Sequence, residues 1–212
     1  PAPRPRTGSR GAGHRRHGAP YPGTGRGGIA SGGMEVFTVG HGARRVDEFL
    51  AVLREAGVTT LADVRRFPGS RRHPHFGREA LAAALAEAGI RYEWHGEALG
   101  GRRSRRPRSR HTALRHAAFA GYADHMDTPE FRTAVQELAE RARDERIAVM
   151  CAETVWWHCH RMLIADALAM RGVSVVHLLA VGRREPYRPH PAVRRGDDGW
   201  PVYDVPDTLP GL

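Results

Sequence analysis

The sequence predicts a single three-layer α/β domain with a mostly parallel sheet flanked by helices. Three observations carry this. From residue 34 onward, short strand-like runs alternate with helical segments of 10–15 residues, the pattern of right-handed strand–helix–strand crossovers. Polar side chains gather where several of those runs end. A length of 212 residues with 41% hydrophobic content is enough for one core with tails.

Residues 1–33 hold six arginines and no acid among Gly, Pro, Ser and His. With almost no apolar side chains to bury, this stretch is expected to be a disordered tail; a nucleic-acid-binding arm is the functional alternative. Residues 35–39 read as the first strand, ending in Gly40-His41. A helix is expected over 46–56, with Val46, Phe49, Leu50 and Leu53 on one face. A second strand over 58–64, a helix over 78–88 stopped by Gly89, and a third strand over 90–94 follow. A long basic loop spans 100–115, and an aromatic-bearing segment spans 119–126. Thr128 is placed to cap a helix running from Pro129 to about residue 143. The apolar run 147–150 is the fourth strand, 162–170 a helix and 173–179 the fifth strand. The domain is expected to span 34–182, with the Pro-rich segment 183–212 packed on its surface. No internal repeat is visible.

All 33 basic residues are arginine, an excess that partly reflects GC-rich coding. The formal charge of +10 is also uneven: the first 33 residues carry +6 and the rest only +4, so the body is mildly basic. Two cysteines eight residues apart make no disulfide framework and point to a reducing, cytoplasmic compartment. No apolar run is long enough for a membrane span, and no signal peptide is recognised.

The densest chemistry lies in Met150-Cys-Ala-Glu-Thr-Val-Trp-Trp-His-Cys-His-Arg161, a strand-to-helix loop. Open α/β sheets place ligands at such loops, outside the carboxyl ends of the strands. Parallel strands would bring His41, Asp63, Arg65, Cys151, Glu153 and His177 to one rim. Glu153 is the candidate general acid or base, on the expectation that burial raises its pKa; an ion pair with Arg65 or Arg161 is the bland alternative. Cys159 stands at a helix start, where the dipole favours a thiolate, although cysteine is often just a small buried hydrophobe. Asp63 and Arg65 share one side of a strand and should pair, either as a structural bridge or as part of an anion site. Ser70, Arg71, Arg72 and His73 add donors for a phosphate, and His160 and Arg161 add more at the second loop. Trp156 and Trp157 offer a stacking surface or an apolar lid. Cys151, His158, Cys159 and His160 are all metal-ligand types. Their spacing is not that of a zinc knuckle, and neighbours seldom chelate one ion, so no metal and no cofactor are expected.

These segments resemble the family called domain of unknown function 488. The resemblance rests on Thr38-Val-Gly-His41, Asp63-Val-Arg-Arg-Phe-Pro-Gly-Ser-Arg71, Pro74-His-Phe76, Ile90-Arg-Tyr92, Leu99-Gly-Gly101, Phe119-Ala-Gly-Tyr122, Met150-Cys-Ala-Glu153, Cys159-His-Arg161 and His177. It implies an α/β fold and a shared polar site that includes Phe76 and Tyr122, and it names no reaction. Where the family usually has serine after Gly-His, this chain has Gly42, so that hydroxyl is either missing or supplied elsewhere.

Three functions follow as expectations. The first is an enzyme hydrolysing a nucleotide, DNA or RNA, or excising a base, with arginines on phosphate and aromatics on the base. The second is a cysteine-dependent transferase resembling rhodaneses, although Arg161 lies ten residues after Cys151 and two after Cys159 rather than about five. The third is a non-catalytic module for a phosphorylated ligand. No membrane partner is expected, and the sequence leaves the oligomeric state open.

Overall fold

Six strands make the central sheet in the order β3-β2-β4-β1-β5-β6, of which the first five are parallel and β6 is antiparallel. A computed structural model of the chain describes residues 33–69 and 72–204. The expected tail over residues 1–33, except its last residue, and the candidates Ser70 and Arg71 lie outside the described residues.

The strands are β1 (Glu35–Gly40), β2 (Thr60–Asp63), β3 (Arg91–Trp94), β4 (Ile147–Cys151), β5 (Ser174–Ala180) and β6 (Arg183–Pro186). The helices are α1 (Val46–Glu55), α2 (Arg78–Glu87), α3 (Gly96–Leu99), α4 (Ala117–Met126), α5 (Pro129–Arg141) and α6 (Arg161–Ala169). Thr128 caps α5 as expected, its hydroxyl accepting the Phe131 N–H at 3.3 Å, with Pro129 in the first turn where its missing N–H costs nothing.

Side chains alternate along the strands and divide the core in two. Phe37, Val39, Leu61, Ala148 and Met150 face α1 and α2. Val36, Ala62, Val64, Ile147 and Val149 face α4, α5 and α6. Because β1, β2 and β4 are covered on both sides, they read as nearly continuous apolar runs. The result is a three-layer α/β domain. No helix among the described residues is long and apolar enough to cross a membrane.

The chain beyond Gly182 does more than wrap the surface. It supplies β6, then a hairpin of β7 (Val193–Arg195) and β8 (Pro201–Tyr203). Trp200 and Tyr203 enter the main core, and Asp166 of α6 anchors the segment. Its carboxyl accepts hydrogen bonds from the hydroxyls of Tyr187 at 2.6 Å and Tyr203 at 2.7 Å. The edge position explains why β6 carries a proline and exposed arginines, which disguise it in the sequence.

Candidate functional site

The crossover from β1 to β2 runs through α1 on one face of the sheet, and that from β4 to β5 through α6 on the other. Since β1 and β4 are neighbours, the loops leaving them part in opposite directions and open a crevice at their carboxyl ends. It measures about 730 Å³ and takes lining from both loops, including His41, Gly42, Cys151, Glu153 and Thr154. The Gly40 backbone lies so close to Glu153 that a Cβ would overlap the Glu153 carbonyl oxygen. Gly42 adopts φ 57°, and a Cβ there would overlap Thr154 Oγ1. Thr154 Oγ1 therefore occupies the space that a side chain at position 42 would take.

Below the crevice on the β2 side, Asp63 and Arg65 pair as expected. Asp63 Oδ1 accepts the Arg65 backbone N–H at 3.0 Å and its Nε–H at 2.9 Å. Asp63 Oδ2 accepts from Arg65 Nη2 at 2.6 Å and from the Tyr92 hydroxyl at 2.8 Å. Arg65 Nη1 reaches the Phe76 carbonyl at 2.8 Å and His41 Nε2 at 3.2 Å. Nearly all of the guanidinium is thus engaged inside the protein, which is the structural-bridge option. His41 Nε2 accepts from that arginine, so its proton sits on Nδ1, which donates to the Gly42 carbonyl at 2.8 Å. Burial, with the nearby Arg65 charge, lowers the His41 pKa to about 4. Phe76 is fully buried and stacks on the His41 ring at 4.2 Å, so it shapes the loop instead of lining the crevice.

On the β4 side, Cys151, Cys159 and His160 converge at the crevice floor, with their ligand atoms all within 4.8 Å of one another. Both cysteines are free and buried. His160 Nδ1 lies 3.9 Å from Cys151 Sγ and 3.6 Å from Cys159 Sγ. A one-turn helix, Trp156–His158, folds the loop back so that the start of α6 meets the end of β4. The fold, and not a local knuckle, brings the two cysteines together, while Cys159 and His160 remain chain neighbours. Burial opposes ionisation of Cys159, but the hydrogen bond from Cys151, with His160 and Arg161, holds it well below the usual thiol range. That same hydrogen bond, and then burial, hold Cys151 well above it. Tyr122 is buried beside them, its ring 4.8 Å from His160 and its hydroxyl donating to the Leu99 carbonyl at 2.7 Å.

Glu153 lines the crevice but is exposed, contrary to the burial expected for it. Its carboxylate makes no ion pair among the described residues; Arg161 instead grips its backbone carbonyl. Arg161 is buried, spans to the Thr154 carbonyl at 3.5 Å and does not line the crevice. That disfavours it as the anion holder of a rhodanese-like loop. Trp156 and His177 are also outside the lining: they stack at 4.1 Å, and the Trp156 indole donates to Glu185 at 2.9 Å. His177 is buried in β5 against the Thr38 hydroxyl at 2.7 Å, and burial lowers its pKa to about 4.

Arg72 lines the crevice, and the structure adds Arg66, Phe67 and Arg102 at its mouth. Phe67 is 65% exposed, with the Arg66 and Arg102 guanidinium carbons 5.6 and 6.0 Å from its ring centre. Arg102 holds φ 59°, a left-handed conformation uncommon outside glycine. The signal for Arg66 and Phe67 was present in Arg65-Arg-Phe-Pro-Gly69, where an aromatic next to arginine leads into a turn.

The family model described as Domain of unknown function DUF488 matches residues 45–168. The matched stretch includes both cysteines and stops short of His41 and His177 at its two ends. No curated protein and no solved structure matches.

Proposed function

This chain belongs to the DUF488 family, whose description names no reaction, and from its crevice we propose that it is an enzyme that binds a nucleotide or nucleic-acid strand there and hydrolyses it. The observation that carries this reading is the mouth of the crevice. Phe67 presents an exposed ring with the Arg66 and Arg102 guanidinium groups over it, and Arg72 lines the same opening. Other arginines, such as Arg110, Arg132 and Arg141, are neutralised by acids, whereas Arg66, Arg72 and Arg102 make no ion pair among the described residues. Exposed cations around an exposed ring suit phosphates flanking a stacked base. Hydrolysis follows from Glu153, an exposed carboxylate within the crevice that is free to take a proton from water.

Fluorescent nucleotides and short single strands, titrated at several salt concentrations, test this reading. Phe67→Ala should weaken binding by about 1–3 kcal/mol per stacked base without altering the melting temperature. Binding unaffected by Phe67→Ala would place the nucleic acid elsewhere on the chain and remove the basis for the reading.

A further inference from the structure

We infer that Cys151, Cys159 and His160 bind one zinc ion, leaving a fourth coordination position open to the crevice. The site goes beyond the proposed hydrolase reading and stands whatever substrate the crevice takes. Geometry supports it first. A tetrahedral zinc with Zn–S of about 2.3 Å and Zn–N of about 2.0 Å holds its sulfur and nitrogen ligands about 3.5 Å apart and two sulfurs about 3.8 Å apart. The two sulfurs lie 3.6 and 3.9 Å from His160 Nδ1, and all three donor atoms lie within 4.8 Å of one another, so side-chain adjustments of under about 1 Å complete the fit.

The histidine is also set up as a ligand. Its Nε2 meets the Val64 carbonyl at 3.2 Å. A carbonyl only accepts, so Nε2 carries the proton, and Nδ1 is left to face the two sulfurs. Ligating histidines are commonly oriented in this way, their second N–H held by a backbone carbonyl or carboxylate. Space beside Nδ1 is kept by Gly101, where an added Cβ would stand 3.0 Å from that nitrogen. The resemblance to a ligand shell thus extends beyond the three donors to the residues that aim them.

Charge and ligand number indicate the type of ion and site. Two thiolates and a neutral imidazole offset a divalent charge, and sulfur with imidazole selects zinc over magnesium or calcium, which prefer oxygen. Four protein ligands close a structural zinc site, whereas three with an open position characterise catalytic ones. Among the described residues no fourth Cys, His, Asp or Glu joins this group, and all three ligands line the crevice. Bound there, zinc would supply Lewis-acid chemistry to the crevice that Glu153 also lines. Any use of that chemistry in hydrolysis is the only part that rests on the hydrolase reading.

The test uses the full chain, purified under reducing conditions, stripped with a chelator and titrated with Co²⁺ without oxygen. One equivalent should bind, giving intense visible bands of four-coordinate cobalt and a near-ultraviolet thiolate-to-cobalt band, and Zn²⁺ should displace it. Cys151→Ser and Cys159→Ser should each reduce the charge-transfer band, with circular dichroism confirming the fold. Gly101→Ala keeps every ligand and should weaken cobalt binding by about 10-fold or more, in the range of other changes to the residues that orient a ligand. Glu153→Gln should retain the whole spectrum. A stripped protein with no thiolate-to-cobalt band, or a band indifferent to both serine substitutions, would overturn the site. Because these readouts need no substrate, their failure is distinct from failure of the hydrolase reading.

Discussion

Two polar clusters lie under one crevice, and they differ in how much bonding capacity they leave open. In the Asp63–Arg65–His41 cluster, both carboxylate oxygens accept two hydrogen bonds each, and the guanidinium serves four acceptors. Of the five guanidinium N–H groups only one is left over, so little remains there for a ligand. In the Cys151–Cys159–His160 cluster, two sulfurs and one ring nitrogen face each other with only weak thiol hydrogen bonds among them. The first is what a buried charge requires in order to be tolerated at all. The second has donor atoms to spare where the crevice gives access. Closure marks a cluster that holds the fold, and openness marks one that can bind.

The largest effect that would test this difference is expected from Arg65→Ala. It leaves the Asp63 carboxylate fully buried without its main partner, a change that typically costs about 3–5 kcal/mol. Urea denaturation measures it. A loss below about 1 kcal/mol would mean that Asp63 is not locked by this pair and that the β2 cluster is less closed than its contacts indicate.

A slightly smaller effect should come from acid. His41 has a pKa of about 4 in the folded protein against 6.5 in the unfolded chain. Between those values the unfolded state holds a proton that the native state does not, so stability falls as pH drops from 6.5 toward 4 and levels off below. The shift corresponds to about 3 kcal/mol over the window. His177, also lowered to about 4, acts in the same direction from a different place. Stability measured against pH for the protein and for His41→Asn separates them: the advantage of His41 should shrink through this window. A constant difference would show that His41 is not held neutral by the closed cluster.

The sequence made the closed cluster easier to read than the open one. Asp63 and Arg65 stand two apart on a strand, and strand alternation alone puts them together. The parallel sheet and the helices α1, α2, α5 and α6 were legible for a similar reason, since apolar periodicity is a local property. Pairing of Cys151 with Cys159 and His160 depends on the Trp156–His158 turn folding the loop back, which no local pattern reports. Glu153 was expected to be buried because it follows a buried strand, but the crevice opens at that point and exposes it. The strands β6, β7 and β8 were missed because they are short, Arg- and Pro-bearing edges or hairpin arms, with burial confined largely to Trp200, Val202 and Tyr203.

The smallest expected effect sharpens the comparison most. In metal-free protein, Cys151→Ser should change stability by less than about 1 kcal/mol. The hydroxyl is close to the thiol in size, and Cys151 lines the crevice, where water can accept its proton, so no buried donor is stranded. The open cluster should therefore tolerate loss of a member where the closed one does not. Adding zinc should reverse this apparent indifference. A ligand that binds only the native state stabilises it by about 2.7 kcal/mol at 100 times its dissociation constant, and the serine variant should fail to gain that amount. Melting temperatures of the two proteins, with chelator and then with excess zinc, give the four values needed. A metal-free Cys151→Ser as unstable as Arg65→Ala would show that the thiols already hold the fold together, and the division between a closed and an open cluster would collapse.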